Sequence, residues 1–201
     1  MKEANLPVEL GNFSILDQHD LGFYQESYFN QLRSALDCMI RQHLMVGVAS
    51  LKVRLSDRVD PNHTYRAMRS FLAVMETPMC RLYSDGCNSW FRTEDRPMAS
   101  YQLVLIFAGS ENCGYASIIR ECRIEWARLM GVTVAGVSVN QFRTDDILVE
   151  RLRDVAINRT DLQGYEQACK WALGTLALVA KNMPAINMIP YVHMHGRGNW
   201  I

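Results

Sequence analysis

Few residues in this 201-residue chain have the types and spacing that chemistry needs. The first group is His193-Met194-His195, a histidine–hydrophobe–histidine triplet. On a strand, side chains repeat with period two, so both imidazoles leave the same face. Two such nitrogens and a third ligand can hold a divalent metal, with Mn²⁺ or Mg²⁺ the alternatives for phosphate chemistry. A metal held this way polarises a scissile phosphate for attack by a tyrosine, and Tyr165 and Tyr191 are the candidate nucleophiles. The plainer reading is a solvated, basic tail that also carries Arg197. That reading is preferred, so the expectation is no catalytic residue, no metal and no small-molecule cofactor.

The second group is Arg81, Tyr83, Trp90, Phe91, Arg92 and Arg96. Arginine interleaved with aromatics can grip single-stranded nucleic acid by stacking and phosphate contact. The same residue types dominate protein-binding hot spots. Glu94 and Asp95 dilute the positive field, so an ordinary surface loop is the first reading, a protein contact the second and nucleic acid the third.

The remaining polar groups read as structural. Asp57, Asp60 and His63 precede a helix, where Asp and Asn serve as turn formers and caps. Asp145 and Asp146 suit the positive end of a helix dipole. Ser110 and Cys113 sit at a strand-to-helix turn with no base in sequence to activate them. Gly109-Ser110 is not followed by the GK[ST] of a phosphate loop, and neither GxSxG nor HExxH occurs. The six cysteines form no CxxC pair, and they read as reduced core thiols.

The elements that must position these residues follow from periodicity. Tyr28, Leu32, Leu36, Met39 and His43 mark an amphipathic helix over 21–44. Val46–Leu55 reads as a strand whose later half alternates. Met68, Leu72, Met75 and Met79 stripe a second helix opened near Pro61 and ended near Pro78. Asp85–Ala99 is rich in turn formers and reads as a loop. Tyr101–Ala108 is a continuous apolar run, as in a central strand buried on both faces. Gly114–Gly131 reads as a helix, Val132–Phe142 as a strand and Asp145–Val155 as a short helix. Thr160 and Gln163 have capping-box spacing for a helix running to Lys181, with Tyr165, Cys169, Leu173 and Leu176 on its buried side. Ile189–Met194 reads as a last strand or an extended tail. The sum is a single α+β domain over 1–201, with three or four strands covered by four or five helices. Residues 1–18 form an irregular N-terminal segment and 185–201 an extended C-terminal tail.

Composition bounds the function. Twenty-one Lys+Arg balance 21 Asp+Glu, which removes the global basic excess that drives tight nonspecific DNA binding. Hydrophobic residues make up 49% and charged residues 21%, which suits a globular domain with a sizeable core. Met1–Phe13 holds no apolar signal core, and no stretch is long enough to span a membrane. The longest apolar candidate, Trp171–Val179, is too short. The expected location is the cytoplasm of a host cell.

From Val46 onward the order of features resembles the inovirus Gp2 / YagK–YfjJ C-terminal family, proteins of filamentous phages, prophages and integrated elements related to rolling-circle replication initiators. The resemblance spans about residues 46–182. Val46–Leu55 stands where the family has its first strand, and Met68–Met79 stands for the next helix. Tyr101–Phe107 stands for the strand of the His-rich motif. Arg123-Ile124-Glu125-Trp126 before Met130-Gly131 is similar to the family's helix ending in Trp and Leu-Gly. Leu178-Val179-Ala180-Lys181 stands for its Tyr-x-x-Lys helix. The departures are chemical. Tyr101-Gln102-Leu103-Val104 lacks both histidines, and Leu178 occupies the tyrosine position, with Lys181 retained.

The resemblance thus implies a replication-initiator-like fold stripped of its nickase chemistry. A retained scaffold without catalysis implies a binding surface in use. The function expected is a non-catalytic binding protein of a phage or mobile element, acting on a host or element-encoded protein complex, for instance as an anti-CRISPR-like inhibitor of host defence. The alternatives are a metal-dependent single-strand DNA nickase or replication initiator, and a DNA-binding regulator.

Overall fold

A computed structural model describes residues 21–55, 69–75, 85–93, 100–108, 117, 119–120, 124, 141–143, 147–184 and 193–196. Helix α1, Phe23–Gln42, buries Tyr28, Phe29, Leu32, Ala35, Leu36, Met39 and Ile40, the stripe that its periodicity predicts. Strand β1, Met45–Leu55, follows after two residues. Residues 69–75 form α2, with Phe71, Val74 and Met75 buried. Leu72 of the predicted stripe is only half-buried. Strands β2, Asp85–Thr93, and β3, Ser100–Ala108, come next. Positions 117, 119, 120 and 124 are helical. Then come β4, Gln141–Arg143, β5, Ile147–Asn158, helix α3, Tyr165–Lys181, and β6, His193–Gly196.

The strands form one sheet in the order β4-β5-β1-β3-β2-β6, and each neighbouring pair is antiparallel. The α+β class stands. Three expectations are corrected. Among the described residues the sheet has six strands, not three or four; beside it lie three helices and the helical positions of 117–124, which leaves the expected four or five helices untested. Asp85–Thr93 is a strand, not a loop. Its Asp, Gly, Asn and Ser favour turns locally, but hydrogen-bonded partners on both sides override that preference. Ile147–Asn158 is a strand, not a helix, because β1 has one side filled by β3 and pairs β5 along the other. A bulge between Arg151 and Arg153 leaves Leu152 out of register and 47% exposed.

The register assigns the two faces. Val46 and Val48 of β1, Val104, Ile106 and Ala108 of β3, Cys87 and Phe91 of β2 and Ile157 of β5 all meet α1 and α3 in one core. The alternate positions Ala49, Leu51, Val53, Leu103, Leu105 and Phe107 are buried as well. Every residue of β3 is therefore buried, as the unbroken apolar run predicts. None of the helices among the described residues is long and apolar enough to cross a membrane.

Side chains hold α1 at both ends, one of them tying it to α3 and the other reaching it from the segment between β5 and α3. Gln25 accepts the Gly22 N–H at 3.0 Å, and its Nε2 donates to the carbonyls of Lys181 (2.9 Å) and Met183 (3.0 Å). One side chain thus serves the start of α1 and the end of α3, whose last carbonyls have no partner within the helix. At the other end, Arg159 Nη1 donates to the carbonyls of Ile40 (3.1 Å) and Arg41 (3.3 Å), closing α1. The predicted Thr160 capping box does not form. Thr160 Oγ1 donates to Asn158 Oδ1, and Asp161 Oδ1 accepts the N–H groups of Gln163 and Gly164. Gln25→Ala removes three hydrogen bonds at once and is expected to cost about 1–3 kcal/mol, measured as a lower urea midpoint with the slope unchanged.

Candidate functional site

Alternation along β2 divides the predicted binding residues. Phe91 registers with Gln102 and faces α1, where its ring meets Tyr28 edge-on at 5.7 Å. It is 7% exposed and belongs to the core. Trp90 and Arg92 register with Leu103 and Tyr101 on the opposite face. The Trp90 and Tyr101 rings meet at 5.7 Å, tilted by 68°. Tyr101 is buried, Trp90 half-buried and Arg92 exposed. The face therefore opens toward the Arg92 end, with the indole braced from below by a buried ring. Arg81, Tyr83 and Arg96 lie outside the described residues.

The histidine triplet does lie on a strand. β6 pairs along the outer edge of β2, with His193 opposite Asn88 and His195 opposite Gly86. These partners alternate in phase with Trp90 and Arg92, so positions 193 and 195 belong to that same sheet face. Among the described residues, no three His, Cys, Asp or Glu side chains gather in a way that could hold a metal ion. His43 Nε2 comes within 2.9 Å of Asp85 Oδ2 beside the start of β2, a close approach without an aligned hydrogen bond.

Of the candidate nucleophiles, Tyr165 opens α3 and is 3% exposed in the core. Burial, together with the neighbouring Cys169 thiol, pushes its phenol well above the ordinary tyrosine range. A phenol held neutral in this way is a poor nucleophile at neutral pH. Tyr191 lies outside the described residues, as do Asp57, Asp60, His63, Ser110 and Cys113.

A second polar group was not visible in sequence. On the helix-facing side of the sheet, beyond the apolar core, Gln102 Nε2 donates to Ser50 Oγ at 2.7 Å and to the Leu51 carbonyl at 3.3 Å. Both side chains are buried. Arg54 pairs with Glu150 at 3.1 Å across β1 and β5. The signal available was the period-two run Ser50, Lys52, Arg54 in an otherwise apolar strand. The buried Gln102 and Ser50 satisfy each other, as buried polar atoms must, while Arg54 and Glu150 form a partly exposed ion pair at the same sheet face.

The described thiols are free, and two of them are buried. Burial pushes Cys87 up to about 12 from an ordinary 9.0, with Cys38 adding to the rise, and burial also raises Cys169. Both thiols stay protonated in the native state, while the unfolded chain releases their protons first. Their contribution to stability is full below pH 9.0 and falls as pH climbs from there toward 12. The urea midpoint is expected to fall across that alkaline window, and less steeply in Cys87→Ala. No protein-family model, curated protein or solved structure matches the chain.

Proposed function

We propose that this chain is a non-catalytic binding protein that engages a protein partner through the sheet face bearing Trp90 and Arg92. One observation carries the reading. Trp90 and Arg92 are successive positions on one face of β2, and the indole rests against the buried Tyr101 ring. Tryptophan and arginine are the residue types that concentrate binding energy at protein interfaces. The balanced charge argues against nucleic acid as the main partner. The resemblance to replication-initiator-like proteins of mobile elements suggests the more specific form, a phage or element protein that occupies a host complex and blocks a defence function. The nickase reading depends on His193, His195 and a tyrosine. It is the weaker one, since Tyr165 is buried.

The experiment is a single-strand DNA assay with Mn²⁺ on a denaturing gel, run beside photo-cross-linking of the protein in host lysate. The expected result is no nicking and no covalent adduct, with protein cross-links lost in the Trp90→Ala, Arg92→Ala double variant. A hot-spot pair of this kind is expected to weaken binding at least about tenfold. A DNA adduct would overturn the proposal. So would the recovery of nucleic acid alone. If nicking occurred and survived His193→Ala with His195→Ala, the metal-site alternative would fall as well.

A further inference from the structure

Near its end, β2 carries an exposed arginine. Arg92 makes no hydrogen bond or ion pair among the described residues, whereas Arg41, Arg54 and Lys170 each hold a carboxylate within 3.1 Å. The acidic residues of the described strands lie away from it. Asp85 and Glu150 share the parity of Cys87 and Lys52, on the helix-facing side of the sheet. Asp154 shares the face of Arg92 but sits on β5, with β1 and β3 in between. Three strand spacings amount to about 14 Å, beyond the screening length of about 8 Å at physiological salt. The other β2 positions on this face are Gly86, Asn88 and Trp90, and those of β6 are 193 and 195, both histidine. The corner of the sheet formed by β2 and β6 thus has a fixed cation and no carboxylate among its described positions.

We infer that the partner is an acidic peptide segment, which sets a carboxylate against Arg92 and an apolar or aromatic side chain against Trp90. The inference rests on the Trp90 face being the binding surface and adds the chemistry of what binds there. A guanidinium meets a carboxylate through two parallel N–H···O bonds. Beside an indole such a pair is partly shielded from water, which strengthens it. Trp90 and Arg92 register with Leu103 and Tyr101, so they are alternate residues of one strand. Their Cα atoms are about 7 Å apart, the spacing of alternate side chains in an extended partner segment. Nucleic acid fits this corner less well. Proteins that bind it neutralise several phosphates together, which takes a run of cations. Here one arginine is followed in sequence by Glu94 and Asp95, which lie outside the described residues and limit the positive field.

Fluorescence anisotropy of a labelled random copolymer of glutamate and tyrosine, titrated with the full chain, tests the inference. The expected result is saturable binding that weakens about tenfold or more in Arg92→Gln and in Trp90→Ala. Added salt should weaken the wild-type complex and do much less to Arg92→Gln, in which the screened contact is already gone. Arg153→Gln is the control. Arg153 is also exposed, but it registers with Ser50 on the helix-facing side, and the variant should bind as the wild type does. Arg92 is exposed, so circular dichroism should be unchanged in Arg92→Gln. A wild-type chain that ignores the copolymer overturns the inference. So does undiminished binding by Arg92→Gln, an equal loss in Arg153→Gln, or tighter binding of oligothymidylate or of a lysine–tyrosine copolymer. Lysate cross-linking with the single variants separates this inference from the reading beneath it. Cross-links lost in Trp90→Ala but kept in Arg92→Gln leave the face standing and remove the acidic partner. Cross-links kept in both variants remove the face itself.

Discussion

Tyr28→Ala is expected to lower the free energy of unfolding by about 3–5 kcal/mol, the range for truncating a large buried aromatic. Tyr28 is fully buried in the second turn of α1. Its ring meets Phe91 of β2 edge-on at 5.7 Å and 89°, and its hydroxyl donates to the buried Ser89 Oγ at 3.0 Å. Ser89 and Phe91 are alternate residues of β2, so one tyrosine holds the helix layer to a strand at two successive positions on its inner face. Burial pushes the phenol far above the ordinary tyrosine range, and the Ser89 bond only partly offsets this. The neutral hydroxyl is thus the form that the native state requires. Two smaller changes divide the loss. Tyr28→Phe removes the hydroxyl alone and is expected to cost about 0.5–1.5 kcal/mol. A double-mutant cycle with Phe91→Leu should return a coupling of about 0.5–1.5 kcal/mol for the ring pair. Urea unfolding of the four proteins gives each term. A loss below about 1 kcal/mol in Tyr28→Ala would mean that β2 is not held to the helices in this way.

The same contact shows what the sequence could and could not reveal. Elements governed by their own periodicity were legible. Tyr28, Leu32, Leu36 and Met39 named the inner face of α1, and Tyr165, Cys169, Leu173 and Leu176 that of α3, because a long amphipathic helix needs no partner to declare its stripe. Tyr101–Ala108 was legible for the opposite reason, since an unbroken apolar run of eight residues is too short for a buried helix and suits a strand covered on both sides. Strands that exist through their neighbours were not legible. In β2, Asn88 and Ser89 are turn formers that become buried once β3 and β6 flank them. In β5, Leu152 and the charged residues after it face solvent, so the run imitates a surface helix until β1 is known to be its partner.

The candidate site follows the same division. Trp90, Phe91 and Arg92 could be picked out by residue type, but a loop reading treated all three as one surface. Strand alternation instead sends Phe91 into the core and keeps Trp90 with Arg92 outside. Trp171 and Leu178 were read only as part of an apolar run and as a family position, and their exposure on the outer face of α3 was not legible from the buried stripe.

Gly47→Ala carries the second large expectation, and here two principles oppose each other. Strands disfavour glycine, so propensity alone predicts that alanine would stabilise β1 by a fraction of a kcal/mol, within a scale spanning ~1 kcal/mol. Packing predicts the reverse. Gly47 registers with Phe107 of β3, and a Cβ at 47 would run into the Phe107 ring. Phe107 is 4% exposed, and its partner on the other side is again a glycine, Gly86 of β2. The ring thus has a glycine beside it in both neighbouring strands, within a layer that also holds Leu105 and Leu103. Forcing a methyl group into such a layer costs about 1–3 kcal/mol, which exceeds the gain in propensity. Gly47→Ala is therefore expected to destabilise, and Gly47→Val to do so more strongly despite the high strand preference of valine. Phe107→Leu provides the control. It costs stability alone, but it clears the space, so Gly47→Ala should be nearly neutral in that background, with an interaction energy of about 1 kcal/mol or more in the cycle. If Gly47→Ala costs the same with and without the ring, the ring is not the reason for the glycine. If it costs nothing in either background, the sheet has room that the close contact denies.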